Sequence, residues 1–181
     1  DGIEFDIVHT KDGFAVVNHD KVLKKTAMNS AGEFCPLGKE ISQMNLEEIQ
    51  SKCVLKDGSK IPTLEDVLEV LSVSPTMIFL ELKDSPTLHT SELLKKYYDG
   101  KEEQLRVIAF SKKNIKTLKG HDKKFWKSIR FLKLSAQPYG LQKSMGVNIF
   151  INAYKVRRRY FKRLSRELSV WTVNNEKDIS M

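Results

Sequence analysis

The sequence predicts an α/β fold, a (β/α)8 TIM barrel that is incomplete within this chain. Short runs rich in Val, Ile and Phe recur along the chain, and these residue types are typical of strands. Helical patterns lie between most of the runs, and this alternation indicates a mainly parallel sheet. About seven strands favour a barrel over an open sheet, but a complete barrel takes about 250 residues and the chain has 181. We therefore expect a single barrel domain over residues 1–181, truncated at both ends.

The expected strands are apolar runs bounded by turn residues: Ile3–Val8, Phe14–Asn18, Met77–Leu82, Leu105–Phe110, Ile129–Leu134, Val147–Ile151 and Leu168–Val173. The clearest helix begins after Thr63, which reads as an N-cap followed by the acidic residues of a first helical turn. The other expected helices are Thr90–Tyr98, Lys112–Leu118, Asp122–Trp126 and Tyr154–Arg166. Residues 21–60 show little periodicity, which predicts a long loop with one short helix near Leu46–Gln50.

The chain is basic, with a net charge of +8 at pH 7. This charge favours anionic partners such as phosphate esters, nucleic acid or a membrane surface, but a Lys-rich solvated surface explains it better than a dedicated polyanion site. The basic segment 155–168 has an apolar stripe of Tyr160, Phe161 and Leu164, and we interpret its charges as the outer face of a barrel helix. No run of 18 apolar residues is present, so no transmembrane helix is expected.

The two cysteines, Cys35 and Cys53, fit no zinc-binding pattern. A disulfide between them and two free thiols both remain open. So few cysteines are compatible with a cytoplasmic location, which we expect, and they do not exclude a secreted or periplasmic protein.

The first twenty residues carry the first candidate site. Asp12-Gly13 is a strong hairpin signal, and a two-residue loop there pairs Asp6 with His19. Side chains alternate along a strand, so Glu4, Asp6 and His19 are expected on one face. Two carboxylates on one face repel each other, and a divalent cation such as Mg²⁺ or Ca²⁺ relieves that repulsion. The alternative is that both acids form salt bridges at a strand end and that His19 only donates a hydrogen bond.

A third acid, Glu81, lies near the end of an apolar strand, with Lys83 two residues further on the same face. The carboxyl ends of the strands line the active site in a barrel. Glu81 is therefore a candidate third metal ligand, and Lys83 a candidate for holding an anionic oxygen. An ordinary Glu–Lys ion pair at the barrel rim is the alternative.

Five segments together resemble the glycerophosphodiester phosphodiesterase family. They are IEFDIVHTKDGFAVVNHDKVLKKT at 3–26, KIPTLEDVL at 60–68, FLELK at 79–83, VIAFS at 107–111 and VWTVNNEKDISM at 170–181. They occur in the family's order and span the chain. The sequence departs from the family at both edges: His9, His89 and His121 are not followed by Arg-Gly, so the family's HRG motif has no match, and its last GVDGIITD-like strand has none either. Because both departures lie at the edges, we expect truncation or disorder, and not divergence, to explain them.

The resemblance implies an enzyme that hydrolyses glycerophosphodiesters to glycerol 3-phosphate and an alcohol. It implies a divalent metal, Mg²⁺ or Ca²⁺, on Glu4, Asp6 and Glu81. His19 is implied as the catalytic acid or base, and the histidine of the HRG motif would complement it. Lys83 is implied as a ligand of a phosphoryl oxygen.

Trp171 is implied as a wall of the pocket, with a core aromatic as the alternative. Asp20 can either orient His19 or cap the following turn. The expected partner is a small-molecule phosphodiester. A non-catalytic barrel relative that only binds, or a phospholipase D-like relative acting on lysolipids or sphingolipids, remains an alternative. A nucleic-acid binder is not favoured, because the sequence has no aromatic and basic platform.

Overall fold

The computed structural model describes residues 2–23, 27, 28, 35, 38–137, 146–162 and 167–173. Its strands are β1 Gly2–His9, β2 Ala15–Val17, β3 Ala27–Met28, β4 Val54–Leu55, β5 Met77–Leu82, β6 Leu105–Ala109, β7 Arg130–Ser135, β8 Gly146–Phe150 and β9 Leu168–Trp171. Its α-helices are α1 Leu46–Lys52, α2 Leu64–Leu71, α3 Leu88–Tyr98, α4 Lys112–His121, α5 Phe125–Ser128, α6 Ile151–Val156 and α7 Arg158–Lys162. Single 3-10 turns lie at Ile41–Gln43 and Glu102–Gln104.

The main sheet has seven strands in the order β2-β1-β5-β6-β7-β8-β9. β2 pairs antiparallel with β1, and every other neighbouring pair in this sheet is parallel. β5 lies beside β1, and from β6 onward each strand lies beside the strand that precedes it in the chain, so the crossovers move in one direction. This is the winding of a barrel, not of a doubly wound sheet. The predicted incomplete (β/α)8 barrel is confirmed.

The two faces of the sheet differ in what covers them. Alternate residues such as Ile7, Leu80 and Val107 are buried in one cluster with side chains of α2, α3 and α4. The residues between them point to the opposite, inner face, where the register places Asp6 beside Glu81 and Glu81 beside Ile108. The candidate site therefore lies on the inner face of the barrel, away from the helices.

The capping of α2 agrees with its sequence. The Thr63 hydroxyl accepts a hydrogen bond from the backbone N–H of Asp66, and the Asp66 carboxylate accepts one from the backbone N–H of Thr63. This reciprocal pair satisfies two backbone donors that the first turn of a helix leaves free.

A buried ion pair joins three strands at the amino-terminal end of the barrel. Arg106 on β6 is buried, and its Nε lies 2.8 Å from Oε1 of Glu167, the residue before β9. Glu167 also lies 3.3 Å from Nη1 of Arg130, which is largely exposed. The Arg106 guanidinium also donates to the carbonyl oxygens of Glu103 and Leu105. The pair thus fixes the end of the barrel that is opposite to the candidate site.

We expect Glu167→Gln to lower the free energy of unfolding by about 2 kcal/mol, because it leaves a buried guanidinium without its counter-charge. Arg130→Gln is the matched control. It should lower the free energy of unfolding by less than about 1 kcal/mol, because Arg130 is solvated. Urea denaturation measures both changes. An equal decrease in the free energy of unfolding in the two variants would show that burial of Arg106 does not determine how much its ion pair with Glu167 stabilises the fold.

The predicted register of the first hairpin is wrong by one residue. Ile7 pairs with Val17, whereas a two-residue loop would pair Val17 with the next residue along β1. The loop has three residues and ends at Gly13, whose φ is +89°, a left-handed conformation that favours glycine. Thr10 closes it, since its backbone N–H donates to the Phe14 carbonyl oxygen.

Residues 24–26, 29–34, 36 and 37 lie outside the described residues, and for the rest of 21–60 the prediction of a long loop is partly wrong. The short helix is present as α1, but β3 and β4 also form a two-stranded ribbon. Ile41, Met44 and Ile49 are fully buried against Val8 and Val16. These isolated apolar residues show no periodicity, yet they attach the segment to the first hairpin.

Cys35 and Cys53 form a disulfide, one of the two states that the sequence left open. Both cysteines lie in the cluster that attaches residues 21–60 to the hairpin. Disulfides persist mainly in oxidising compartments. The cytoplasmic location stays a prediction.

The single helix predicted over Tyr154–Arg166 is also wrong in its bounds. The chain forms two short helices, α6 and α7, separated at Arg157, and residues 163–166 lie outside the described residues. Phe161 is buried as the apolar stripe requires, but Tyr160 is exposed. Within the described residues, no helix has the length and apolar character that a membrane span needs.

Candidate active site

Three carboxylates meet on the inner face of β1 and β5. Asp6 and Glu81 are direct neighbours in the parallel pairing of these strands, and Glu4 lies two residues before Asp6 on the same face. One carboxylate oxygen from each residue lies within 4.8 Å of the others. The structure thus brings the three predicted metal ligands together from two distant segments. Their role as ligands stays a prediction.

Lys83 lies between two of these carboxylates. It directly follows β5, and its Nζ is 2.8 Å from Oδ1 of Asp6 and 2.7 Å from Oε1 of Glu81. Burial alone would lower the pKa of Lys83, but the hydrogen bonds to Asp6 and Glu81 outweigh burial and raise it. Lys83 therefore stays positively charged inside an acidic cluster. Both the predicted contact with an anionic oxygen and the alternative Glu–Lys ion pair are compatible with this position.

The acidic cluster is short of positive charge even with Lys83 present. Partial burial, followed by repulsion from Asp6 and Glu81, raises the pKa of Glu4 from 4.5 to about 7. Burial also raises the pKa of Glu81, although the hydrogen bond and charge of Lys83 oppose this change. A cluster that takes up a proton near neutral pH is one that a divalent cation would stabilise in its ionised form.

Cation binding is therefore expected to depend on pH. Below pH 7 a proton on Glu4 competes with the cation, so affinity should rise by up to about tenfold per pH unit and level off above pH 7. In the cation-free protein the raised pKa has the opposite effect on stability. The folded state prefers protonated Glu4, so the free energy of unfolding should fall as the pH rises from 4.5 to about 7.

Isothermal titration with Mg²⁺ and with Ca²⁺ from about pH 6 to pH 8 measures the first effect, and urea denaturation measures the second. Glu4→Gln is the control that should flatten both pH profiles. Profiles that stay equally steep in Glu4→Gln would assign the proton to another group.

His19 reaches the same cavity although the hairpin register differs from the predicted one. The last ladder hydrogen bond of the hairpin runs from the Asn18 N–H to the Asp6 carbonyl oxygen, and the chain then bends away from the strand. The bend turns His19 back to the inner face, where it lines the cavity with Glu4 and Asp6. Its ring is exposed, and its Nδ1 lies 2.9 Å from Oδ1 of Asp20. Of the two roles left open for Asp20, this contact supports orienting the imidazole.

These residues line one cavity of about 570 Å³ at the mouth of the barrel. Trp171 forms part of its wall, and its ring centroid lies 5.0 Å from that of Phe150 and 6.2 Å from that of Phe110. The cavity therefore has an acidic side with one lysine and one histidine, and an aromatic side across from it. The position of Trp171 agrees with the predicted pocket wall.

The family model described as the glycerophosphoryl diester phosphodiesterase family matches residues 1–181. The chain belongs to this family. The resemblance found in the five sequence segments is thereby confirmed, and so is the assignment of the chain as an enzyme of the phosphodiesterase type.

Individual members of the family show how far the similarity extends. A glycerophosphodiester phosphodiesterase of Caldanaerobacter subterraneus subsp. tengcongensis is 27% identical, over 99% of this chain and 76% of its own length. Among solved structures, a phosphodiesterase of Oleispira antarctica in complex with sn-glycerol-3-phosphate has a TM-score of 0.78 at 20% identity, covering 98% of this chain and 74% of its own. A glycerophosphodiester phosphodiesterase of Parabacteroides distasonis has a TM-score of 0.72 at 22% identity, covering 99% and 74%. These structures share the fold of this chain.

Of the histidines that the structure describes, His19 lines the cavity. His9 points to the opposite face of β1, where it is buried between Asp84 at 2.5 Å and Thr90 at 2.8 Å. His89 packs its ring against Phe14, outside the cavity. His9 therefore connects the ends of β1 and β5 and does not face the cavity.

Sequence reasoning missed two polar residues of this phosphodiesterase cavity, Asn148 on β8 and Ser169 on β9. Each is a lone polar residue inside an apolar strand, at VNIFI and LSVW. A polar residue in such a run faces either the core or a cavity, and that pattern was the available signal.

Proposed function

We propose that the chain hydrolyses glycerophosphodiesters to glycerol 3-phosphate and an alcohol, with a divalent cation held by Glu4, Asp6 and Glu81. The observation that carries the proposal is the single cavity that gathers three carboxylates, Lys83 and His19. Family membership supports the same reaction class.

The donor set fits a divalent cation of the Mg²⁺ or Ca²⁺ type. These cations prefer oxygen ligands, and all three candidate ligands are carboxylates. Partial burial, followed by repulsion from Asp6 and Glu81, raises the pKa of Glu4 to about 7, and a cation would relieve that repulsion. When bound, the cation neutralises charge that develops on the phosphoryl oxygens.

Lys83 and Trp171 would bind the substrate from opposite sides of the cavity. A phosphoryl oxygen can replace one of the carboxylate contacts that Lys83 makes, because the lysine donates from a compact and mobile ammonium group. Trp171 would pack against the organic part of the diester with its ring face. The phosphate would therefore lie on the acidic side and an organic part of the diester on the aromatic side.

His19 would transfer a proton to or from the reacting oxygens. In the overall reaction water adds to phosphorus, the bond to the alcohol oxygen breaks, and the alcohol leaves with a proton. Because Nδ1 of His19 faces Asp20, we assign the transfer to Nε2. Asp20 would keep the ring oriented for this step.

The proposal is tested by assaying the chain on glycerophosphocholine and glycerophosphoethanolamine with Mg²⁺, with Ca²⁺ and with chelator. Hydrolysis should need the cation and fall at least about a hundredfold in chelator. His19→Ala should lower kcat by about 10² to 10⁴, as expected for loss of a general acid or base.

His121→Ala is the matched control, because this histidine contacts the Pro86 carbonyl oxygen outside the cavity, and its kcat should match wild type. Product binding without turnover would support the non-catalytic relative instead. Turnover that is unaffected by chelator would contradict the cation assignment.

Phe110 favours a second candidate function, hydrolysis of lysolipid diesters. It lines the cavity, yet 48% of it is exposed, so it forms an apolar edge where an acyl chain could lie. Faster hydrolysis of lysophosphatidylcholine than of glycerophosphocholine, reversed by Phe110→Ser, would favour this candidate. If Phe110→Ser lowered the hydrolysis rate of both substrates equally, Phe110 would be only a part of the cavity wall.

A further inference from the structure

Three polar side-chain atoms of the cavity wall are buried without a partner. They are Oδ1 of Asn148, Oγ of Ser169 and Nε1 of Trp171, and none has a hydrogen-bond partner among the described residues. Asn148 is only 6% exposed. Buried polar atoms are costly when unpaired, so a native cavity that holds three of them is expected to pair them with a ligand or with water.

The sheet register places these residues together. Asn148 on β8 is the direct neighbour of Ser169 on β9, and Trp171 follows Ser169 on the same face. All three residues line the cavity that contains Glu4, Asp6 and Lys83. The three residues therefore form one polar patch of the cavity wall, on strands far in the sheet from those that carry the carboxylates.

The chemistry of the patch selects what can bind there. Asn148 Oδ1 accepts a hydrogen bond, Trp171 Nε1 donates one, and the Ser169 hydroxyl does both. This mixture matches alcohol hydroxyls, each of which donates and accepts. A quaternary ammonium head group forms no such hydrogen bonds and would leave all three atoms unpaired, and a phosphate would be opposed by the acceptor Oδ1.

We propose that Asn148, Ser169 and Trp171 form a hydroxyl-binding subsite that fixes the glyceryl part of the substrate. The subsite rests on the proposed function, because the phosphate must lie near Lys83 for the glyceryl hydroxyls to reach β8 and β9. With this subsite, the three residues would be responsible for the preference of the enzyme for a polyol ester over a simple alkyl ester.

The test compares the binding of sn-glycerol 3-phosphate and n-propyl phosphate to the full chain with Mg²⁺ present. The two ligands share their charge and carbon skeleton, and only the first has hydroxyls. Wild type should bind glycerol 3-phosphate at least about tenfold more tightly. Ser169→Ala and Asn148→Leu should each reduce this preference to about threefold or less and leave propyl phosphate binding unchanged.

Ser169→Thr keeps a hydroxyl and should retain the preference. Asn152→Leu, an exposed asparagine on α6, is the matched control and should also retain it. Equal binding of the two ligands by wild type would overturn the subsite, with water then satisfying the three atoms. Loss of affinity for both ligands in Ser169→Ala would also overturn it, because a structural role would act on both. Failure of wild type to bind either phosphate would contradict the proposed function itself.

Discussion

Replacing Glu81 by glutamine is expected to weaken binding of Mg²⁺ and Ca²⁺ by at least about a hundredfold. Mutating a residue that only supports a metal ligand typically lowers metal affinity by about 10- to 100-fold. Loss of a direct ligand should lower it by at least as much. Glu81 is also the most buried of the three carboxylates, so no solvent-exposed group can readily replace it. Isothermal titration at about pH 8, where Glu4 is ionised, measures the affinity.

The matched control is Glu92→Gln, which removes the same charge from an exposed position on α3 and should leave cation affinity unchanged. Thermal unfolding without cation should show that Glu81→Gln is folded, because glutamine keeps the shape of the side chain. Unchanged cation affinity in folded Glu81→Gln would remove Glu81 from the ligand set.

Replacing Lys83 by methionine is expected to weaken binding of the phosphate ester without weakening binding of the cation. Phosphate-ester binding and turnover should fall, with kcat/KM lower by about 10² to 10³, the cost of losing one preorganised donor to a developing charge. Cation affinity should be equal to or higher than that of wild type. The reason is that Nζ, at 2.8 Å from Asp6 and 2.7 Å from Glu81, competes with the cation for the carboxylate oxygens.

Lys95→Met is the control, because Lys95 forms a surface ion pair with Asp122 on the helical side of the fold. It should change neither measurement. If Lys83→Met instead weakened cation binding, the lysine would be supporting the ligands and not competing with the cation. The assignment of Lys83 to the phosphoryl oxygen would then lose its basis.

Much of the fold could be predicted because periodicity and winding follow from local sequence. The runs that became β5 and β6 are mostly apolar, and a buried parallel strand needs such a run. Thr63 and Asp66 specified the start of α2 through their spacing alone. These features depend on residues that are close together in the chain.

The features that sequence reasoning missed depend on contacts between distant segments. The hairpin took a three-residue loop although Asp12-Gly13 also suits a two-residue one, because Asp12 accepts hydrogen bonds from Thr10 and from the backbone N–H of Leu46 at the start of α1. The ion pair of Arg106 with Glu167 joins residues 61 positions apart. No local pattern indicates either contact.

The candidate site was predicted better than the hairpin that carries it. Glu4, Asp6 and Glu81 keep their places because alternation along β1 and β5 does not depend on how β2 pairs. His19 was placed correctly for a wrong reason, since it reaches the cavity through a bend after β2 and not through pairing with Asp6. Asn148 was missed because one polar residue in an apolar strand has the same pattern in a satisfied core and in a binding cavity.

The most direct test of the three-carboxylate site is a crystal structure of the chain with Ca²⁺. We expect one cation bonded to oxygens of Glu4, Asp6 and Glu81 at about 2.3 to 2.6 Å, with Lys83 displaced from at least one carboxylate. A cation bound elsewhere, or Lys83 still joining Asp6 to Glu81 at saturating Ca²⁺, would contradict it.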